Sequence, residues 1–136
     1  MEKMNPETVA APVGRYSHAV RVETEAGIWI HVSGQIALDR DGTLVGVGDL
    51  GAQTEQVFEN LRAILEANGA TFDDVVKVNT YLTTLEDLDA MREVRGRYTP
   101  EDPPASTAVQ VVALVVPEAL IEVDLVAVVS TDRASD

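Results

Sequence analysis

The chain has 136 residues, a length that suits one domain with its own hydrophobic core. Its formal net charge of −13 at pH 7 repels phosphate backbones, which argues against a nucleic-acid partner and favours solubility. The sequence has no cysteine, no long apolar run and no secretory-type N-terminus, so we expect a cytoplasmic protein with no membrane partner, disulfide or thiol nucleophile.

The first third of the chain predicts an arm followed by two strands. Residues 1–13 are rich in Ala and contain Pro, and we expect them to form a loosely held arm. The β-rich runs HAVRVE (18–23) and IWIHVSG (28–34) follow, separated by TEAG, a connection of hairpin length. Asp41-Gly42 then marks a turn.

Two segments have helical periodicity. Asp49 is the predicted N-cap of the first helix, and Asn68-Gly69 ends it. After a predicted strand over 73–84, Thr83 and Glu86 have the spacing of a capping box for a second helix, which ends before Pro100. The apolar residues expected to face inward are Val57, Phe58, Leu61, Ile64 and Leu65 in the first helix and Leu85, Leu88, Met91 and Val94 in the second.

Two further strands are predicted at about 106–114 and 119–129, which completes the order β-β-α-β-α-β-β. This order describes an α+β domain over 1–136, with two helices on one face of a sheet and residues 131–136 as a tail.

The last predicted strand has two different faces. Ile121, Val123, Leu125 and Ala127 point one way, whereas Glu122 and Asp124 point the other way beside valines. A half-charged, half-apolar face suits neither solvent nor an ordinary core, so we expect further copies of the chain to cover it.

Five motifs can be read in chain order. They are GRYSHAV (14–20), VSGQIALD (32–39), ENLRAILEANGATFDDVVKVNTYL (59–82), PPASTAVQV (103–111) and LIEVDLVAV (120–128). Together they resemble the RidA family, also called YjgF, of reactive-intermediate imine and enamine deaminases, over about residues 12–130. The resemblance implies a chorismate-mutase-like fold and a homotrimer with a central barrel and a small-molecule cleft at each subunit interface. It also implies hydrolysis of a 2-imino acid or enamine to a 2-keto acid and ammonia without metal or other cofactor.

The resemblance assigns candidate site residues position by position. Tyr16, Ser33 and Gly34 match substrate-binding positions, and Glu122 matches a catalytic carboxylate that orients water and moves protons. Each has a structural alternative: ring packing for Tyr16, a strand end for Ser33-Gly34, and an interfacial charge pair with Lys77 for Glu122.

The chain departs from the family at the residue that grips the substrate. Deaminating members read Pro-Ala-Arg-Ser, and that Arg holds the substrate carboxylate, whereas this chain has Ser106 at the Arg position. A neutral hydrogen bond then replaces a two-pronged charged contact. Ser106 and the following Thr107 either contact a ligand or satisfy backbone groups after the prolines.

Other cations of the chain could replace the missing guanidinium. Arg15, next to Tyr16, is the candidate for substrate binding, and Arg92 and Arg95 are further candidates; the alternative for all three is solvation at the surface. His18 and His31 lack the spacing of a zinc site, so no metal is expected.

Two functions are compatible with these residues. The first is a cofactor-independent hydrolytic deaminase of small imine or enamine metabolites, with a non-standard substrate because Ser106 replaces Arg. The second is a non-catalytic trimer that binds a small metabolite in the same clefts. Ribonuclease activity, a third possibility sometimes attached to the family, is disfavoured by the charge of −13.

Overall fold

The computed structural model describes residues 1–130, in which a six-stranded sheet carries two helices on one face. Residues 131–136, the predicted tail, lie outside the described residues. The strands are β1 (Glu2–Met4), β2 (Ala19–Glu23), β3 (Ile28–Gln35), β4 (Val75–Leu82), β5 (Ala105–Gln110) and β6 (Ile121–Val129); the helices are α1 (Leu50–Ala67) and α2 (Leu88–Gly96), and Phe72–Asp74 form a 3₁₀ turn.

The strands lie in the order β1-β2-β3-β6-β4-β5. Neighbouring strands are antiparallel except β4 and β5, which are parallel because α2 carries the chain back across the sheet between them. The α+β class and the placement of both helices over one face are confirmed. The added strand is β1, and β5 ends at Gln110 rather than at the predicted residue 114.

The N-terminal segment differs from the loose arm that the sequence predicts for 1–13. β1 pairs with β2, and the Asn5 side chain accepts a hydrogen bond of 2.8 Å from the His18 backbone N–H. Val9 and Ala10 are buried. Backbone pairing and apolar burial therefore hold this segment against the sheet.

Helix α1 begins and ends where the sequence predicts. The Asp49 carboxylate accepts a hydrogen bond of 3.0 Å from the Ala52 backbone N–H, which confirms the N-cap. Asn68 is the C-cap, and Gly69 follows with a φ of +74° that a residue with a Cβ rarely adopts. The predicted apolar stripe is buried; it comprises Val57, Phe58, Leu61, Ile64 and Leu65.

Helix α2 begins later than predicted, and the Thr83–Glu86 capping box is wrong. The residue before the helix is Asp87, whose φ of +61° places it in the left-handed region without a side-chain cap. Thr84, not Thr83, accepts the hydrogen bond from the Glu86 backbone N–H, at 3.1 Å. Leu85 is 50% exposed instead of facing inward, because it precedes the helix. Leu88 is partly buried, and Met91 and Val94 are buried as predicted.

The two faces of the sheet differ as expected. The helix-facing residues of β6 are buried: Ile121, Val123, Leu125 and Ala127. We call the opposite side the open face; it carries the half-buried β6 residues Glu122, Asp124, Val126 and Val128. Trp29 and Val109, on the same side, are 40% and 44% exposed. The open face thus presents apolar side chains to solvent in a single chain.

Gln53 connects α1 to two loops. Its Nε2 donates to the carbonyls of Gly46 (3.2 Å) and Glu118 (3.0 Å), and its Oε1 accepts from the Leu120 backbone N–H (2.8 Å). The residue is fully buried, so a replacement that cannot hydrogen-bond leaves these backbone groups unsatisfied.

We therefore expect Gln53→Leu to lower the free energy of unfolding by about 2–4 kcal/mol, measured by urea denaturation. Gln56→Leu is the matched control on the same helix, because Gln56 is half-buried and makes one side-chain hydrogen bond, to Asn60. A loss for Gln53→Leu no larger than that of the control would show that the three bonds do not stabilise the loops.

Candidate functional site

A cavity of about 310 Å³ lies where β3 ends, between the N-terminal segment and the loop that precedes β6. We call it the Glu122 cavity. Its polar lining comes from six side chains, and its apolar lining includes Val13, Ile36, Leu38, Val115 and Val116. The polar residues are Tyr16, His18, Ser33, Gln35, Asn60 and Glu122.

Glu122 occupies its position because Gly34 has no side chain. The pairing of β3 with β6 shifts register between Val32 and Gln35, and this irregularity brings the Gly34 backbone against the Glu122 side chain. A Cβ added at Gly34 would lie 2.8 Å from the Glu122 Cδ and closer still to its Oε1. The glycine thus makes room for the carboxylate.

Burial raises the pKa of the Glu122 carboxyl above its ordinary value, and the charge of Asp124 raises it further. Asp124 is held in place by the Asn79 side-chain amide, which donates a hydrogen bond of 2.8 Å to its Oδ1. Tyr81 also hydrogen-bonds Asp124, and this contact raises the pKa of the Tyr81 hydroxyl. A carboxyl group with a raised pKa takes up and releases protons at a pH closer to neutral than an ordinary Glu carboxyl does.

The alternative of a charge pair between Glu122 and Lys77 is not seen within residues 1–130 of a single chain. The Lys77 Nζ donates instead to the Thr107 hydroxyl, at 2.8 Å. In the ladder Lys77 lies opposite Val126, four residues from Glu122.

Ser33 and Tyr16 line the cavity through different contacts. The Ser33 hydroxyl donates to the Ser17 carbonyl (2.7 Å), and its backbone N–H donates to the His18 carbonyl (2.8 Å), which fixes the incoming segment against β3. Tyr16 is 45% exposed, and its hydroxyl accepts a hydrogen bond of 3.3 Å from the Val13 N–H. Ser33 therefore anchors the wall, and Tyr16 forms the rim.

Three polar lining residues, His18, Gln35 and Asn60, were missed by the sequence analysis. The buried His18 donates from Nε2 to the Ala10 carbonyl at 2.7 Å, and its Nδ1 lies 3.5 Å from the Gln35 Nε2. Because a carbonyl oxygen only accepts, the Nε2 of His18 carries a proton. His18 belongs to the motif GRYSHAV and Gln35 to the motif VSGQIALD. Their place in these motifs could have identified them as lining residues, whereas their polarity alone could not.

Ser106 lines a second cavity, of about 270 Å³, between α2, β5 and the aromatic end of α1. We call it the arginine cavity, because Arg92 and Arg95 also line it. Neither Arg15 nor Thr107 is among the residues that line the two cavities. Within one chain, the structure therefore does not place Ser106, Thr107 or Arg15 in the cavity of Glu122.

The separation of Ser106 from Glu122 follows from the ladder. Ser106 pairs with the buried Val78 and shares its helix-facing side, whereas Glu122 lies on the open face. The two positions are two strands apart, about 10 Å across the sheet, and three residues apart, about 10 Å along it. One small ligand cannot contact both side chains of the same chain.

Within the described residues, no cluster of three or more His, Cys, Asp or Glu side chains is arranged to hold a metal ion. None of the helices in that part of the chain is long and apolar enough to cross a membrane.

Comparisons with known proteins agree on one family. The family model described as Endoribonuclease L-PSP matches residues 7–129. A RutC family protein of Pyrococcus abyssi is 42% identical over 121 residues, 89% of this chain and 91% of that protein. The protein of Acinetobacter baylyi named 3-aminoacrylate deaminase RutC is 39% identical over 122 residues, 90% of this chain and 93% of the relative.

Solved structures share the fold. RidA from an Antarctic Psychrobacter species superimposes with a TM-score of 0.84 at 37% identity and covers 95% of this chain and 100% of its own. The YjgF gene product of E. coli gives a TM-score of 0.84 at 27% identity, covering 94% and 98%. The fold is therefore the chorismate-mutase-like α+β fold of these proteins, and the chain belongs to the RidA family, also named YjgF, RutC and L-PSP.

Proposed function

We propose that the protein is a hydrolytic deaminase of small imine and enamine metabolites, acting as a homotrimer. The observation that carries this proposal is the half-buried Glu122 carboxyl, which lies over Gly34 in a cavity that Tyr16 and Ser33 also line. The same cavity belongs to a chain whose relatives include one named 3-aminoacrylate deaminase.

The proposed chemistry uses Glu122 as base and then as acid. Its carboxylate takes a proton from water while the water oxygen bonds to the carbon of the protonated imine, which gives a carbinolamine. The carboxylic acid then returns that proton to nitrogen. The C–N bond breaks as the Glu122 carboxylate takes the proton of the new hydroxyl group, so that ammonia leaves and the carbonyl forms. An enamine first accepts a proton from the acid form of Glu122 at the carbon beta to its nitrogen and becomes the protonated imine. The raised pKa of Glu122 suits both roles near neutral pH.

The dimensions of the Glu122 cavity suit a small substrate. A volume of about 310 Å³ lies at the lower end of the range for small-molecule sites and holds a short-chain acid with a water molecule. Ile36, Leu38 and Val116 supply apolar walls that limit access of bulk water. This combination favours a small metabolite over a polymer.

The homotrimer is proposed from exposed apolar surface. On the open face Trp29 and Val109 are 40% and 44% exposed, and in the loop before β6 Val115 is 92% exposed although it also lines the Glu122 cavity. Association of three copies would bury these side chains and place the cavity mouth at a subunit boundary.

The experiment that tests the function is an assay of the wild-type protein with freshly generated 2-iminobutanoate and 3-aminoacrylate. We expect faster release of 2-oxobutanoate from the first and of the corresponding aldehyde acid from the second than in buffer. No acceleration with either compound or with the imine of phenylpyruvate, at micromolar protein, would reject the deaminase.

The second candidate is a trimer that binds a small metabolite without turnover, and the Ser106 substitution favours it. Ser106→Arg separates the two candidates. If the wild type does not hydrolyse imines and the Ser106→Arg variant does, the cleft can support catalysis but serves for binding in the wild type. Imine hydrolysis by the wild type would reject the non-catalytic candidate.

A further inference from the structure

Arg92 and Arg95 are arranged to act together. They lie three positions apart on α2, a spacing that places both side chains on the same side of a helix. Both line the arginine cavity, and Ser106 lines it from the neighbouring strand β5. The position at which this chain lacks a cation is therefore adjacent to two cations supplied by a different element.

Within the part of the chain that the structure describes, the two guanidinium groups are not paired with a carboxylate. In residues 1–130, neither Arg92 nor Arg95 has a carboxylate oxygen within 4.0 Å, whereas Arg97, directly after the helix, is paired with Glu93 at 3.3 Å. The full chain has 23 acidic and 10 basic residues, and these two arginines, which have no ion-pair partner within residues 1–130, can offer charge-assisted hydrogen bonds to an external anion.

The nearby Glu59 carboxylate is already engaged. Its Oε2 accepts a hydrogen bond from the Tyr98 hydroxyl (2.8 Å) and forms an ion pair with Arg62 (2.9 Å), whose guanidinium lies over the Tyr98 ring. Burial and the hydrogen bond to Glu59 raise the pKa of Tyr98 to about 12, so its hydroxyl stays protonated. The cavity wall is thus neutral where Tyr98 contributes to it.

Apart from Thr99 and Ser106, the rest of the arginine cavity has a mainly apolar and aromatic lining. Phe58, Phe72 and Tyr98 form a cluster with ring centroids 5.2–5.9 Å apart, and Val75 and Val78 complete the wall. A ligand that fits this lining has an anionic head for the guanidinium groups and an apolar or aromatic body.

We propose that Arg92 and Arg95 bind the substrate carboxylate in place of the guanidinium missing at Ser106, and that the substrate is a 2-imino acid with an apolar or aromatic side chain. This inference rests on the proposed function, which supplies the reacting group. Because Ser106 and Glu122 of one chain are too far apart for one small ligand, the carboxylate bound in one copy would present C2 to Glu122 of another.

Binding of phenylpyruvate, the keto acid of an aromatic imino acid, tests the anion site without requiring turnover. We expect the double variant Arg92→Gln/Arg95→Gln to bind it at least about 10-fold more weakly by isothermal titration calorimetry. Phenylacetone, which lacks the carboxylate, should bind the wild type and the double variant equally. Arg97→Gln, the matched control, should stay within about twofold of wild type, since Arg97 is paired with Glu93.

Equal phenylpyruvate affinity in the wild type and the double variant, or an equal loss in Arg97→Gln, would overturn the inference. The imine assay separates this failure from failure of the proposed function. Phenylpyruvate binding that depends on Arg92 and Arg95 without imine hydrolysis would reject the deaminase and retain the anion site. Hydrolysis with an unchanged KM in the double variant would reject the anion site and retain the deaminase.

Co-expression tests whether the two cavities cooperate between copies. Glu122→Gln chains and Arg92→Gln/Arg95→Gln chains, each impaired alone, should form mixed trimers in which about a quarter of the interfaces join an intact Glu122 to an intact arginine pair. Recovery of about a quarter of wild-type activity supports a shared site. No recovery in isolated mixed trimers would show that the arginines do not serve a neighbouring Glu122.

Discussion

Glu122→Gln is expected to lower kcat for 2-iminobutanoate by about 10²- to 10⁴-fold, because the amide can neither take a proton from water nor return one to nitrogen. The substitution keeps the shape of the side chain beside Gly34, so KM should change little. In the wild type, log kcat should rise with pH through the raised pKa of Glu122, and the residual rate of the variant should lack that dependence. Steady-state rates between pH 4.5 and 8.5 measure both effects.

Thermal melts provide the control for folding. The pKa of Glu122 is higher in the folded than in the unfolded chain, so the folded state binds more protons above the ordinary Glu pKa and loses stability as pH rises through the raised value. Glu122→Gln removes this pH-dependent loss of stability. The variant should therefore have a higher melting temperature than the wild type at pH 7, and the difference in melting temperature should be smaller near pH 4. A fully active, pH-dependent variant would show that another group moves the protons.

Gly34→Ala is expected to lower kcat by about 30-fold or more without a large loss of stability, because the added methyl group displaces the Glu122 carboxylate. The backbone of Gly34 is outside the left-handed region, so alanine itself is compatible with its conformation. Imine turnover and urea denaturation of the same preparation measure the two quantities.

Gly51→Ala is the matched control, since a Cβ at Gly51 makes only ordinary contacts of 3.5–4.0 Å. Its kcat should equal that of the wild type. Full activity in Gly34→Ala would mean that the observed position of the Glu122 carboxylate is not the catalytic one.

Much of the fold could be predicted from local signals in the sequence. Alternation over 121–129 identified the two faces of β6, and Asp49 with Asn68-Gly69 gave the bounds of α1. These predictions succeeded because burial on one side of an element and backbone satisfaction at its ends leave direct residue patterns.

Other features depend on contacts that are distant in sequence. The strand at Glu2–Met4 exists because it pairs with β2, and nothing in its own residues marks it as β-rich. Helix α2 begins after Asp87, whose backbone is in the left-handed region. The Thr83–Glu86 spacing wrongly predicted an earlier start of this helix. At β1, pairing with a neighbouring strand outweighed the low strand propensity of the residues. At the start of α2, the geometry of the preceding turn outweighed the capping-box pattern.

The candidate site was predicted in part. The motifs brought Tyr16, Ser33, Gly34 and Glu122 to one cavity, because all four lie near the adjoining ends of β3 and β6. Ser106 lies in the other cavity because β5 pairs in parallel with β4, two strands away from β6, and this pairing could not be read from the PPASTAVQV motif.

The central claim is that imine hydrolysis at Glu122 takes place at a boundary between copies of the chain. Sedimentation equilibrium of the wild type, at the protein concentration of the imine assay, tests this claim most directly. We expect three times the 14.6 kDa mass of one chain. A protein that sediments as a single chain and still hydrolyses 2-iminobutanoate at its full rate would contradict it.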